Sequence, residues 1–543
     1  MVSKTDSFLG QFLDPVRLMG PIFDKELRIS SRRRMSYLIR SAYCLCLGLY
    51  VVVTWAFVIR SGTATSSLDV ARLSEVGKGT STAIIRFQFF AMQLIAVLFL
   101  STSVGDEIRK GTLSVLMTTP ISRFQIIVGK LLSGLFQLVL LLGISLPLLA
   151  VIRVFGGVPW DRIVAGLFIT LTAAILAGSV TLFLSVLCRH AYTVVLTAVV
   201  VYLVFFAALP SVLTVLAGWN LLPDTEVGLV TYLTNPFVAL YSNMNGLSAT
   251  PVVWPLHCVV VVFLSGCFVM LSILLVRRAT LAQAFKRAVR SRRARSMKSK
   301  PITSSPIVWR EMRQGMFGGT RSDRALFFLL IGTTLVIGVA IVLGGLRTYF
   351  LLTAVFMAIM LRVAVHAARA IAGEKEARTL PILLTTPLDD KRIVRDKALA
   401  VLYRNVPLLI LPLLLYFGLM ISVRALQAQA MIMMLIYVPL VGLSTVASML
   451  FVTGSGVYFG SRLRTTTATL AATVGLYLAF YLVIIFGTRL LFAVVLGVLS
   501  QVMPGVLSIV ASLSMSIVPM AFHAVAGIIL TRRAAGRLRQ NLF

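Results

Sequence analysis

The sequence predicts an all-α polytopic membrane protein of about 12 transmembrane helices, arranged as two parallel six-helix repeats. Three observations carry this. Of 543 residues, 58% are apolar and only 13% charged, whereas soluble chains carry about 25% charged residues. The apolar residues gather into runs of roughly 20, the length that crosses a bilayer with every backbone polar group paired within the helix. Two polar signatures each occur twice, once in each half. The composition excludes an ordinary soluble enzyme, a disordered chain and a secreted disulfide scaffold.

The elements follow in order. The lead-in before the first run is polar and amphipathic, with Phe8, Phe12, Leu13 and Leu18 suited to a helix lying at the bilayer interface. It is longer than the charged lead of a signal peptide, so no cleavable signal is expected. Six runs follow: Ser36–Ile59, Ile84–Val104, Leu131–Ile152, Ile163–Leu187, Tyr192–Leu216 and Trp254–Val276. They make a first unit, residues 1–276. Residues 277–305 form a basic cytoplasmic linker ending in a Ser/Pro-rich tract, a flexible connector held near anionic headgroups. The second unit, 306–543, has runs at Ala325–Gly344, Tyr349–Ala372, Ala398–Ile421, Met431–Gly456, Thr467–Phe486 and Leu507–Leu530.

Lys and Arg set the orientation. They crowd the N-terminal segment (Lys25, Arg28, Arg32–Arg34), the segment after the second run (Arg109, Lys110, Arg123, Lys130) and the linker. The loop Gly218–Val253 has Asp224 and Glu226 but no Lys or Arg. Both termini are therefore expected in the cytoplasm of a multi-pass protein of the cell membrane. The same distribution accounts for the net charge of +33 without nucleic acid as a partner. The five cysteines lie in or beside apolar runs, with no metal-ligand spacing and no disulfide framework.

The first repeated signature precedes each unit's first run. Pro21-Ile22-Phe23-Asp24-Lys25-Glu26-Leu27-Arg28 pairs with Pro306-Ile307-Val308-Trp309-Arg310-Glu311-Met312-Arg313. Glu26, Arg28, Glu311 and Arg313 are its candidate interfacial-helix residues. The second follows each unit's second run and reads E-x4-T-L-x2-L-x-T-T-P-x5-I-x3-K without a gap. In the first unit it places Glu107, Thr112, Leu113, Leu116, Thr118, Thr119, Pro120, Ile126 and Lys130. In the second it places Glu374, Thr379, Leu380, Leu383, Thr385, Thr386, Pro387, Ile393 and Lys397. Proline cannot sit inside a helix and disfavours helix in the residue before it. A short helix from about Glu107 to Met117 should therefore stop at Thr-Thr-Pro. The next helix should restart behind Ser122 or Asp389, both good N-caps. The product is an elbow between two spans, suited to be pushed by another protein.

With these motifs the chain resembles an ABC-2-type transporter permease, two permease units fused in tandem. The resemblance covers both units and implies a transport subunit, probed from the cytoplasm by separate nucleotide-binding ATPase subunits, two per chain, that hold ATP and Mg. It makes the elbow a coupling helix that docks on the ATPase, through Glu107, Thr112, Leu113, Thr118, Thr119 and Pro120 and through Glu374, Thr379, Leu380, Thr385, Thr386 and Pro387. It also implies a half-inserted hairpin before the sixth span, which Thr234-Asn235-Pro236-Phe237 resembles, with Leu490–Pro504 as a degenerate partner. The family exports lipids, polysaccharides, drugs, peptides or ions, and the sequence names no one cargo.

The chain shows no ATPase motif of its own, since Gly77-Lys78-Gly79-Thr80 lacks the order of a phosphate-binding loop. No cofactor is expected on this chain, no metal site and no catalytic residue. The rival reading is an ion-coupled 12-helix secondary transporter. Such carriers place Asp, Glu or His mid-membrane, whereas each of the 18 carboxylates here falls in a loop or at a boundary of the map. One face of the eighth run carries Arg362, His366 and Arg369 at i, i+4 and i+7. They are either a cationic wall along a pathway or side chains reaching to the headgroups. His257 and His523 read as packed histidines.

Overall fold

The computed structural model describes residues 22–26, 28, 34–61, 70–116, 118–119, 121–154, 158–188, 190–245, 253–290, 305–312, 321–344, 349–410, 413, 428–480 and 504–539. The described residues form helices and turns and contain no strand. Among the described residues eight helices are long and apolar enough to cross a membrane, and Arg40–Val52, Arg324–Ala340 and Thr466–Phe480 are shorter apolar helices. The chain is an all-α polytopic membrane protein. It divides into two compact units, Met1–Ala198 with Gly228–Ser296, and Val199–Val227 with Met297–Phe543.

In the first unit, α1 (Arg34–Ser61) and α2 (Val70–Ser101) precede two short helices, α3 (Gly105–Lys110) and α4 (Thr112–Leu116). Then come α5 (Arg123–Val154) and α6 (Trp160–Leu187). α6 is the unit's centre. It packs on α2, α5 and the sixth span, and its buried face runs through Ala165, Gly166, Ala173, Ala174, Ala177 and Gly178. Small residues let membrane helices approach closely, and lipid supplies no hydrophobic drive to replace that packing.

The fifth span begins as α7 (Ala191–Leu203), passes through a π turn at Val204–Ala208 and ends as α8 (Leu209–Gly218). Pro210 explains the wider turn. It has no N–H to give the carbonyl four residues back, so the ladder must re-form around it. The loop expected at Gly218–Val253 contains α9 (Asp224–Thr234) and α10 (Pro236–Asn245). Asn235 divides them. Its Oδ1 accepts the backbone N–H of Phe237 at 3.0 Å, an N-cap with Pro236 in the first helical position. His257, on α11 (Val253–Arg290), is buried and donates from Nδ1 to the Leu233 carbonyl at 2.9 Å.

In the second unit, α12 (Pro306–Met312) precedes α13 (Arg321–Gly344) and α14 (Tyr349–Glu376). There follow α15 (Leu380–Leu384), α16 (Asp390–Asn405), α17 (Ala428–Arg462), α18 (Thr466–Phe480) and α19 (Pro504–Ala535). The ninth run was mapped from Ala398, but its helix starts at Asp390 and tightens to a 3-10 turn at Val406–Leu409, where Pro407 removes a donor. Asp396, at the boundary of the mapped run, thereby lies within α16, buried, and paired with Arg395 at 3.6 Å. α17 and α19 cross at two glycines: a Cβ on Gly454 would meet the Gly527 carbonyl oxygen at 2.2 Å. His523 is buried there against the ring of Phe451, 5.1 Å away. The mapped Leu490–Pro504 partner hairpin and the upstream Phe8–Leu18 segment lie outside the described residues, apart from Pro504 itself.

Candidate functional site

Each elbow is built around one left-handed residue. In the first, α3 ends at Gly111, φ 81°, whose N–H reaches the Ile108 carbonyl at 3.3 Å. In the second, α14 runs on to Glu376 and ends at Arg378, φ 56°, whose N–H reaches the Lys375 carbonyl at 3.0 Å. A left-handed residue terminates a helix by folding its N–H back on the last turn. The single helix expected over Glu107–Met117 is therefore two, and the elbow helix proper is five residues long.

The motif residues then take matched places. Thr112 and Thr379 each donate a hydroxyl hydrogen bond to the carbonyl of the motif glutamate, Glu107 or Glu374, both at 3.4 Å. The Thr379 hydroxyl also donates to the Glu374 carboxylate. Leu113 and Leu380 are almost fully buried. Leu380 packs with Leu383, Ile393 and Val394 and with Ile307 of α12, in a cluster reaching Val457 and Ala534.

The Thr-Thr pair has a chemical reason. Thr118 donates to the Val115 carbonyl at 2.7 Å and Thr119 to that of Leu116 at 2.5 Å. Thr385 donates to the Ile382 carbonyl at 2.8 Å and Thr386 to that of Leu383 at 2.6 Å. The last carbonyls of a helix have no intrahelical donor. The Val115, Leu116 and Leu383 carbonyls accept a backbone N–H from three residues on, and the hydroxyls add a second donor to each and a donor to Ile382, just where the following proline stops the ladder. All four threonines and Pro387 are exposed; Pro120 lies outside the described residues.

The restarts differ. Ser122 Oγ accepts the Gln125 N–H at 3.2 Å while Gln125 Oε1 accepts the Ser122 N–H at 3.1 Å, a reciprocal capping box. Asp389 holds the N-cap position, but its carboxylate makes no cap hydrogen bond.

The last letter of the elbow motif closes it. Lys130 Nζ, 4% exposed, lies 2.8 Å from Glu107 Oε1 and 3.6 Å from Glu26 Oε1. Its Nζ also donates to the Ser103 carbonyl at 2.9 Å. Lys397 Nζ, 3% exposed, lies 2.9 Å from Glu374 Oε1 and 3.1 Å from Glu311 Oε1. Arg310 adds a second cation to Glu374, at 2.5 Å. In each unit one buried ammonium thus joins the pre-membrane segment, the motif glutamate and the start of the next span. Ile22 and Ile307, four residues before those acids, are both buried. Arg28 pairs with Asp24 at 3.0 Å; Arg313 lies outside the described residues.

Sequence reasoning quoted both lysines in the motif without assigning them a role. The available signal was that each falls in the opening turns of an apolar span, where a cation needs a partner. It also passed over the second of the two residues between the motif leucines. Val115 and Ile382 fill that place in the two elbows, 65% and 68% exposed.

On α14, Arg362 does not reach for headgroups. It is 2% exposed, with its guanidinium 4.9 Å over the Phe327 ring and Nε 3.4 Å from Asn405 Oδ1. Asn405 Nδ2 donates to His366 Nδ1 at 3.1 Å. Asn405 was not foreseen. His366 and Arg369 are half-buried. Among the described residues no group of His, Cys, Asp and Glu is placed to hold a metal ion.

A search of curated proteins finds no match to the chain. The family model described as "ABC-2 family transporter protein" matches it twice in tandem, over residues 20–251 and 251–496. The elbows and their clamps therefore belong to a multi-pass transport permease, and the chain is a member of the ABC-2 transporter family with two units in one polypeptide.

Proposed function

We propose that this chain is the permease of an ATP-driven exporter, moved by two separate ATPase subunits that dock on its elbows. The supporting observation is the pairing of Val115 with Ile382. Each elbow buries its first motif leucine as an anchor and exposes one branched apolar side chain at the same position, followed by two exposed threonines. An exposed apolar residue repeated on a polar turn suits a protein partner. The elbow end faces the cytoplasm in this reading, with both termini on that side of the cell membrane. The partners hold ATP and Mg, and this chain binds neither.

ATP binding draws the partners together and presses on both elbows. Each elbow is continuous with a span on either side, so the push tilts helices from an inward-open to an outward-open state.

The test is capture of ATP hydrolysis by the tagged chain from its native membranes. Val115→Asp with Ile382→Asp lowers co-purified hydrolysis about tenfold or more, the scale of a lost apolar anchor, with the yield of folded chain unchanged. Undiminished hydrolysis in that variant, or none with the wild type, overturns the docking assignment.

A further inference from the structure

We propose that the two lysine clamps make the pre-membrane segment a moving part of the transmission, carried by the elbow as one body. This rests on the elbow reading above and adds a component to it. Lys130 and Lys397 are the positioning residues.

The geometry is the same in both units. Glu107 and Glu374 stand where the second span of each unit gives way to the elbow. Lys130 and Lys397 stand in the helices that leave the elbow. Glu26 and Glu311 come from the pre-membrane segment. Three chain segments, far apart in sequence, meet on one buried ammonium. An ammonium has three donors and no acceptor, so it can serve both carboxylates at once, and in the first unit the Ser103 carbonyl as well. A surface ion pair would be worth little and would yield under load. These lysines are buried, and stripping one of partners leaves an uncompensated charge, which resists separation far more strongly. An elbow displaced by a partner therefore drags the pre-membrane segment with it.

The two clamps are not equally tied. In the second unit, α12 holds Glu374 through Arg310 as well as reaching Lys397 through Glu311. In the first unit the corresponding Lys25 makes no ion pair among the described residues, and the link from Glu26 to Lys130 spans 3.6 Å. The second pre-membrane helix follows its elbow more stiffly than the first.

Hydrogen–deuterium exchange on the full chain in lipid nanodiscs tests the link with no ATPase present. Arg310→Gln with Glu311→Gln unties α12 while leaving Lys397 on Glu374. Exchange across Pro306–Met312 is expected to rise about tenfold, with Leu380–Leu384 unchanged. Glu26→Gln is expected to do the same to residues 22–28. Lys397→Arg, which keeps the charge, stays within about twofold of wild type. Unchanged exchange in both untied variants overturns the clamp.

A second arm uses the complex with its co-purified ATPase. In the wild type, ATP alters exchange at Leu380–Leu384 and at Pro306–Met312 together. In the untied variant it alters the elbow alone. A response at Pro306–Met312 that survives untying overturns the proposal. Failure to co-purify any ATPase counts against the docking assignment, and the nanodisc arm still decides the clamp.

Discussion

Gly111 and Arg378 hold the same left-handed backbone at equivalent places in the two elbows, φ 81° and φ 56°. Glycine occupies that region freely, whereas a residue with a Cβ is strained there. The strain in the second elbow is tolerated because both flanks are fixed, by Lys397 on Glu374 and by buried Leu380.

Replacing Arg378 by Gly removes that strain. The variant should gain about 0.5–1 kcal/mol, after allowance for the freer unfolded chain. Gly111→Ala should lose about 1 kcal/mol, although a Cβ there meets nothing within 4 Å. Thermal unfolding of the purified chain reads both, and equal shifts of one sign would contradict the left-handed assignment.

The threonine caps make a second prediction. Thr385→Val with Thr386→Val keeps the shape and deletes two donors to the Ile382 and Leu383 carbonyls. Each lost bond costs about 1 kcal/mol. Exchange at the backbone around residues 385–389 should quicken, while α17 and α19 stay as they were. No local change would mean that the hydroxyls are idle.

Helix crossing gives a third. Gly454→Ala and Gly527→Ala each drive a methyl into facing backbone, at 2.2 Å from Gly527 O and 2.6 Å from Leu450 C. Overpacking of that kind costs about 1–3 kcal/mol. Gly475 has open space where its Cβ would stand, so Gly475→Ala should be neutral or slightly stabilising by helix propensity. Melting temperatures of the three variants in one detergent separate the cases.

Arg362 supplies a fourth. Arg362→Lys keeps the charge but loses the planar group over Phe327 and the bond to Asn405. A loss of about 1–2 kcal/mol follows, because a stacked, hydrogen-bonded guanidinium is not replaced by an ammonium. If unfolding is unaffected, the side chain is not packed as described.

The all-helical fold was legible because spanning helices leave long apolar runs, and the elbows were legible because their polar letters recur without a gap. What escaped was local. Gly111, behind Arg109 and Lys110, carries the signal of a helix end, but Arg378 at the equivalent place carries none. Asp390 opens a helix eight residues ahead of the apolar run at Ala398, because the first two turns of α16 pack Ile393 and Val394 into the cluster under the elbow and pair Asp390 with Arg539. The clamp lysines were visible as letters but not as partners, because Glu26 and Lys130 are joined only in three dimensions. The loop at Gly218–Val253 hid two helices behind Asn235-Pro236, a pair that ends one helix and caps the next.

The π turn at Val204–Ala208 carries one residue more than a regular helix needs. Deleting a single residue there would heal the ladder and leave Leu209 to Gly218 facing as they do, whereas the same deletion in the regular turns on either side would rotate them by about 100° about the rod axis. The wide turn is therefore the one stretch of the fifth span where a change of length by one residue is absorbed without turning the outer segment.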